Sequence, residues 1–214
     1  MFEFIQQLLH LDILINQMAE QFGLWLYFIL FLIIFCETGL VVMPFLPGDS
    51  LLFAVGALSA SSPYFKVEAL IPLLILASVV GDSLNYFIGL KFGRRLFEQS
   101  HKLSFLFNPK YLKQTEDFYI KRGAWAVSIS RFLPIVRTFA PFVGGLTKMP
   151  YRRFLSLSLI GSVAWVHIFC LAGYFFGRIP FIQQNFTMLV MGIIGFSLAP
   201  LLFGVIRNLI KKSL

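Results

Sequence analysis

The chain has 214 residues, of which 58% are hydrophobic, 17% aromatic and 13% charged, and its formal net charge is +8 at pH 7. An average soluble domain has about 25% charged residues, so this composition argues against a water-soluble protein. The positive charge lies between hydrophobic runs instead of on one polar face, so it indicates membrane topology and not a nucleic-acid partner.

Four hydrophobic runs are long enough to cross a bilayer, which needs around 20 apolar residues per helix. They lie within residues 21–65, 69–90, 154–177 and 186–206. The first run has only Glu37 and Asp49 as charges, the second has only Asp82, and the last two have none. The sequence therefore predicts an all-α membrane protein with about four transmembrane helices in a single membrane domain, residues 1–214.

Basic residues gather in residues 91–122, where eight Lys or Arg stand against three acids, and again after residue 206. By the positive-inside rule both segments face the cytoplasm, so the C-terminus is inside. Counting the predicted crossings places the N-terminus inside as well. Asn108 is a predicted N-cap, Pro109 a first helical residue and Gly123 a helix stop. We predict a cytoplasmic amphipathic helix on the membrane interface, with a solvated linker helix as the alternative.

Two other apolar stretches contain too many helix breakers to cross as regular helices. The first runs from Pro44 to Pro63, and the second runs from Ala124 to Pro150. Proline removes a helical hydrogen bond and glycine weakens a helix, so in lipid the released backbone groups must be buried in protein or line a wet cavity. Both stretches are predicted to be re-entrant hairpins.

The two stretches also resemble each other at a shift of 87 or 88 residues. Phe45–Pro47 recurs as Phe132–Pro134, and Tyr86–Gly89 recurs as Tyr174–Gly177. One hairpin plus one crossing gives an odd number of crossings, so the second copy is inverted, as in many secondary transporters. The predicted organisation is repeat 1 at about 37–90, an amphipathic linker at about 91–123, repeat 2 at about 124–177 and a C-terminal helix at about 186–206.

Glu37 and Asp49 are the acidic candidates for function. A charge at the bilayer centre costs about 2.5 to 3.5 kcal/mol, so such a side chain is expected to face a cavity or a partner. A carboxyl group buried without a full partner takes up a proton more readily, which makes both residues candidates for proton coupling. A structural ion pair, or a side chain that reaches the interface, is the alternative.

Arg131 and Arg137 are the basic candidates. On an unbroken helix their spacing would put them about 120° apart and about 9 Å along the axis. Pro134 between them allows a bend that could aim both at one point, where two planar guanidinium forks would bind a phosphate group. Since Arg137 falls next to the repeat equivalent of Asp49, an ion pair between these two is the other interpretation.

A supporting polar face is predicted in the second hydrophobic run. Ser78, Asp82 and Asn85 follow at i, i+4 and i+7, so they share one side of a helix. A buried hydrogen-bond network explains this face as well as a functional site does.

Nothing in the sequence indicates catalysis. The three histidines have no metal-ligand spacing, and no nucleophile elbow, P-loop or dinucleotide-binding glycine pattern occurs. We therefore expect no metal, no cofactor and no enzyme activity. A membrane-embedded phosphatase that uses the arginines would lack its nucleophile.

Four motifs together resemble the DedA family of integral membrane proteins, over nearly the whole chain. They are Phe35–Leu40 (FCETGL), Pro44–Ser50 (PFLPGDS), Gly81-Asp82 and Arg131–Gly145 (RFLPIVRTFAPFVGG). The resemblance implies a multi-pass protein of the bacterial inner membrane that returns undecaprenyl phosphate, the lipid carrier of cell-wall synthesis, across the membrane. It also implies a flippase driven by proton or sodium gradients.

By motif, the family's essential acidic residues correspond to Glu37 and Asp49, and its essential arginines to Arg131 and Arg137. The implied partners are a membrane lipid and protons or sodium, and a homo-oligomer is left open. The alternative function is a proton-coupled ion or drug transporter that supports membrane-potential and pH homeostasis.

Overall fold

The structure is a computed structural model that describes residues 23–40, 48–61, 65–98, 109–133 and 136–179. In chain order the α-helices are α1 (Leu24–Gly39), α2 (Gly48–Ser61), α3 (Val67–Glu98), α4 (Pro109–Arg122), α5 (Ala126–Ile129), α6 (Val136–Leu146) and α7 (Tyr151–Gly177). No strand occurs in these ranges, so the all-α fold class is confirmed. The predicted C-terminal helix, the Pro44–Pro47 break and Pro134 lie outside the described residues.

Among the described residues, two helices are long and apolar enough to cross a membrane. They are Val67–Gly93 within α3 and Tyr151–Gly177, which have 27 residues each. At 1.5 Å per residue each reaches about 40 Å, more than the hydrocarbon core of about 30 Å. Helices α1 and α2 are apolar but have only 16 and 14 residues. The full number of crossings stays a prediction.

The two sides of α3 differ in a way opposite to a helix of a soluble protein. Large apolar side chains are exposed on one side, namely Leu76, Val80, Leu84 and Phe87. Ser78, Asp82 and Asn85 are buried on the other side. A soluble helix buries its apolar stripe, whereas a helix in lipid can expose it and turn polar groups inward. The predicted polar face therefore lies inside the protein.

Helix α4 ends where its capping residues predict. It begins at Pro109 and ends at Arg122, and Gly123 then takes a left-handed φ of +58°. Glycine adopts this conformation at little cost, which explains the stop. The Tyr119 hydroxyl donates to the carbonyl oxygen of Ala140 at 2.7 Å, which ties α4 to α6. The phenol is protonated at neutral pH and can donate, and desolvation raises its pKa further.

The second predicted hairpin is broken into short pieces. A 3₁₀ turn at Gly123–Trp125, the four-residue α5 and a second 3₁₀ turn at Ser130–Phe132 precede an extended residue, Leu133. Helix α6 then begins at Val136. No single helix therefore joins Arg131 to Arg137. The interruption agrees with the proline and glycine content, while a re-entrant path across a membrane stays a prediction.

Helices α3 and α6 meet backbone to backbone. A Cβ atom placed on Gly145 would lie 2.7 Å from the main-chain nitrogen of Leu90, and one on Gly89 would lie 2.9 Å from the carbonyl carbon of Phe142. These distances are shorter than any normal carbon contact, so only glycine fits at either position. The close approach fixes the distance between the helix that carries Asp82 and the helix that carries Arg137.

The described residues form two compact units. One comprises residues 23–27, 48–61, 65–70 and 168–179, and the other comprises residues 28–40, 71–98, 109–133 and 136–167. In the first unit the backbone of α2 lies against the end of α7, because a Cβ on Gly56 would come within 2.9 Å of the Cys170 backbone. Asp49 belongs to this first unit. The other predicted site residues all belong to the second unit.

Candidate functional site

Arg131 and Asp82 form an ion pair, here named the buried pair, whose side chains are each 6% exposed. Arg131 Nη2 donates to Asp82 Oδ2, and Nη1 donates to the Ser78 hydroxyl at 2.5 Å. The Ser158 hydroxyl donates to the same carboxylate oxygen at 2.6 Å. Charges removed from water need both a partner and further hydrogen bonds to offset their lost hydration. The serines on α3 and α7 supply those bonds.

Arg137 and Glu37 form a second ion pair, the accessible pair, in which Arg137 Nη2 donates to Glu37 Oε1. The Arg137 side chain is 15% exposed and the Glu37 side chain is 2% exposed. The partners are 100 residues apart in sequence and lie on α6 and α1. Glu37 was predicted to face a cavity or a partner, and it faces both. The sequence did not single out this pairing.

One aromatic ring lies beside both arginines. The guanidinium carbon of Arg131 is 5.6 Å from the centre of the Trp165 ring, and that of Arg137 is 5.7 Å from it. Cations within about 6 Å of an aromatic face are attracted to its π electrons. The two arginines, although separated by the break at Leu133, therefore converge on one side chain of α7.

A small cavity lies among these groups. Its lining includes Glu37, Asp82, Arg131, Arg137 and Trp165, and its volume is about 20 Å³. A single water molecule needs about 10 to 15 Å³ of such space, so the cavity has room for roughly one. A phosphate group does not fit while both arginines remain on their carboxylates. The two arginines therefore lie close together, and each is already bound to a carboxylate of the protein.

Asn85 connects the backbone beside both members of the accessible pair. Its amide nitrogen donates to the carbonyl of Thr38 at 3.1 Å and to the carbonyl of Thr138 at 2.9 Å. Thr38 follows Glu37 on α1, and Thr138 follows Arg137 on α6. This predicted supporting residue therefore joins three helices at the site.

Asp49 lies in the first turn of α2, where its side chain is half-buried. It belongs to the first compact unit. Its predicted proton coupling and its proposed pairing with Arg137 stay predictions.

Trp165 and Ser158 were not singled out from the sequence, although a signal for them exists. Ser158, Ser162 and Trp165 follow at i, i+4 and i+7, the same spacing as the polar face of α3. Ser162 lies 3.4 Å from Ser78, oxygen to oxygen, so the two faces meet. Within the described part of the chain no group of three His, Cys, Asp or Glu could hold a metal ion.

Comparison with known proteins gives the family. Residues 46–175 match the VTT domain. Protein DedA of Escherichia coli K12 is 48% identical over 95% of this chain and 93% of its own length. An uncharacterized membrane protein of Mycobacterium tuberculosis is 41% identical over 82% of this chain and 77% of its own length.

Inner membrane protein YqjA of Escherichia coli is 32% identical over 86% of this chain and 83% of its own length. No solved structure matches. Two of these three relatives carry names that describe membrane proteins, and none is named as an enzyme. With a matching domain over more than half of its length and a relative at 48% identity, this chain belongs to the DedA family of membrane proteins.

Proposed function

We propose that this chain is a multi-pass transporter of the bacterial inner membrane that flips undecaprenyl phosphate for envelope synthesis and couples this movement to an ion gradient. The observation that supports it is a pair of arginines around one cavity, each bound to a carboxylate. A carboxylate presents the same kind of anionic oxygen to a guanidinium fork as a phosphate does. The protein anions therefore occupy positions that a lipid phosphate can take over.

Phosphate binding requires an exchange of partners at Arg131 and Arg137. The cavity of about 20 Å³ does not admit the headgroup until at least one carboxylate has moved. An arginine left without an anion in a low-dielectric site would be very unfavourable, because it keeps its charge. Exchange of one anion for another avoids that state. Arg137 is the first to exchange, because its side chain is the more exposed of the two.

Proton coupling follows from the fate of the displaced carboxylate. If phosphate takes Arg137, a negative charge on Glu37 would be left buried without its cation, which favours proton uptake. Lipid binding is then linked to protonation, and lipid release to deprotonation. Asp49 is the second proton carrier in this proposal. This assignment rests on its place in the family motif Pro44–Ser50. Ser78, Asp82 and Asn85 hold the arginines and their partners in place.

A proton-coupled ion or drug transporter is the second candidate, and the small size of the cavity favours it. Space for about one water molecule suits a hydrated proton or a small ion better than a lipid headgroup. This transporter would move ions without any exchange of partners at the arginines.

Proteoliposomes distinguish the two candidates. Purified protein is reconstituted with fluorescent undecaprenyl phosphate, and lipid movement is followed with and without an imposed pH gradient while ion flux is recorded in parallel. Arg153→Ala is the matched control, since Arg153 is an exposed arginine of α7. We expect lipid movement that accelerates with the gradient and is retained in the control. Ion flux without lipid movement would support the second candidate and contradict the first.

The proposed orientation places α4 and both termini in the cytoplasm. Lys121 on α4 and Lys66 just before α3 are both exposed and serve as labelling positions. A cysteine at Lys121 should react only from the cytoplasmic side, and a cysteine at Lys66 only from the opposite side. Labelling of both from one side would contradict the orientation.

A further inference from the structure

Trp165 is buried in the middle of α7, with 1% of its surface exposed, and it lines the cavity. It carries no charge and belongs to none of the sequence motifs. Even so, its ring centre lies within 6 Å of the guanidinium carbons of both arginines. Its position raises the question of what keeps two arginines side by side.

The peptide chain alone does not fix the distance between Arg131 and Arg137. An extended residue, Leu133, separates the 3₁₀ turn that carries Arg131 from the helix that carries Arg137. Two guanidinium groups also repel each other, more strongly in a poorly hydrated site than in water. Asp82 pairs with Arg131, and Glu37 pairs with Arg137. The Trp165 ring is a single surface that attracts both.

Helix α7 also packs against the aliphatic part of the Arg131 side chain. A Cβ on Gly161 would lie 3.1 Å from Arg131 Cδ and 2.9 Å from Ser128 Cα. Gly161 precedes Trp165 by one helical turn, so both lie on the same side of α7. The aliphatic part of the Arg131 side chain packs against the backbone at Gly161, and its guanidinium group lies beside the Trp165 ring.

We propose that Trp165 is the positioning residue of the arginine pair. Its ring holds the two guanidinium groups next to each other, so that a single phosphate monoester headgroup can bind both. This inference rests on the proposed phosphate binding and deepens it. When Arg137 leaves Glu37 for the phosphate, the ring keeps Arg137 near Arg131 during the exchange.

The first test compares three variants in the lipid-movement assay. Trp165→Leu removes the π surface, Trp165→Phe keeps an aromatic face, and Phe154→Leu is the matched control. Phe154 is fully buried on the same helix but stacks on Tyr86, at 4.6 Å between ring centres. We expect Trp165→Leu to raise the KM for undecaprenyl phosphate about tenfold, with a smaller increase for Trp165→Phe. Phe154→Leu should lower thermal stability and leave KM unchanged.

The second test needs no lipid. Trp25 and Trp125 are the other tryptophans, so Trp25→Phe with Trp125→Phe leaves Trp165 as the sole indole fluorophore. Because nearby charge shifts indole emission, Arg131→Gln and Arg137→Gln should each shift the emission maximum, and Arg153→Gln should not. Unchanged emission in both arginine variants would overturn the positioning role. So would a KM for Trp165→Leu that matches the control.

The outcomes separate this inference from the proposed function. If the protein moves no undecaprenyl phosphate but the arginine variants shift the Trp165 emission, the lipid assignment fails and the positioning role stands. If lipid moves and its KM is indifferent to Trp165, the positioning role fails and the lipid assignment stands.

Discussion

The two arginine–carboxylate pairs use the same chemistry in different surroundings. In the buried pair both side chains are 6% exposed, and hydroxyl groups of Ser78 and Ser158 add further hydrogen bonds. In the accessible pair the arginine is 15% exposed, and members of both pairs line the cavity. The difference indicates an order of events in the proposed exchange, in which the accessible pair changes its partner first and the buried pair follows.

The strongest way to test this comparison is to remove each arginine in turn. Arg131→Ala and Arg137→Ala should both abolish lipid movement, because each removes a guanidinium fork of the proposed phosphate site. Arg→Lys should rescue poorly at either site, since a compact ammonium group cannot make the two parallel bonds. Transport by reconstituted protein at matched amounts is the measurement. Full activity of both lysine variants would mean that charge alone suffices.

The next largest effect concerns stability, where the two members of the buried pair should behave differently. Asp82→Ala leaves Arg131 charged and buried, which should cost about 3 to 5 kcal/mol. Arg131→Ala should cost clearly less, because a lone carboxyl group can take up a proton whereas arginine keeps its charge. Glu37→Ala should also cost less than Asp82→Ala, because water can reach Arg137.

Thermal unfolding in detergent, followed for all three variants at one pH, measures these differences. Equal losses for Asp82→Ala and Glu37→Ala would remove the distinction between the buried and accessible pairs.

The next prediction concerns the coupling of transport to the proton gradient at the accessible pair. Glu37→Gln keeps the shape of the side chain and removes its titration, so gradient-driven transport should fall at least about tenfold. Asp49→Asn should have the same effect if it is the second carrier. Downhill lipid movement should survive in Glu37→Gln, because the amide resembles the protonated acid. Glu68→Gln, at an exposed acid of α3, is the control. Normal gradient-driven transport in Glu37→Gln would exclude Glu37 from coupling.

The smallest expected effects distinguish two serines of α7. Ser158 donates to the charged Asp82, whereas Ser162 donates to the carbonyl of Ser158. Hydrogen bonds to charged groups contribute about 1.5 to 3 kcal/mol and neutral ones about 0.5 to 1.5 kcal/mol. Ser158→Ala should therefore lower the unfolding free energy by about twice as much as Ser162→Ala. A larger effect of Ser162→Ala would mean that the hydroxyl network, and not the ion pair, stabilises the site.

Features with local causes could be predicted from the sequence. Helix α4 has its predicted ends because a proline and a glycine fix them within a few residues. The inward polar face of α3 follows from helical spacing, and the interruption between Arg131 and Arg137 follows from proline and glycine content. The end of α3 has no such local signal, and the helix continues beyond the hydrophobic run to Glu98. Hydropathy indicates where a helix leaves the membrane and not where the helix itself ends. Because Lys and Arg have favourable helix propensities, a helix can continue through basic residues beyond its apolar part.

The partners of the charged residues could not be predicted, because they are distant in sequence. Glu37 and Arg137 are 100 residues apart, and Asp82 and Arg131 are 49 apart. Helical spacing shows which side chains share a face, but it does not show which faces meet. Trp165 was overlooked for a related reason. A tryptophan in an apolar run has no feature that separates it from ordinary core residues until the cations beside it are known.

The glycine contact between α3 and α6 has a mechanical consequence. Side chains at an interface can change rotamer and let two helices slip, but at Gly89 and Gly145 the backbones themselves are in contact and nothing remains to rearrange. The hydrogen bond from Tyr119 to Ala140 attaches α4 to the same assembly. We therefore expect these three helices to move together. Any opening of the cavity would then have to come from other parts of the site, such as the non-helical segment around Leu133.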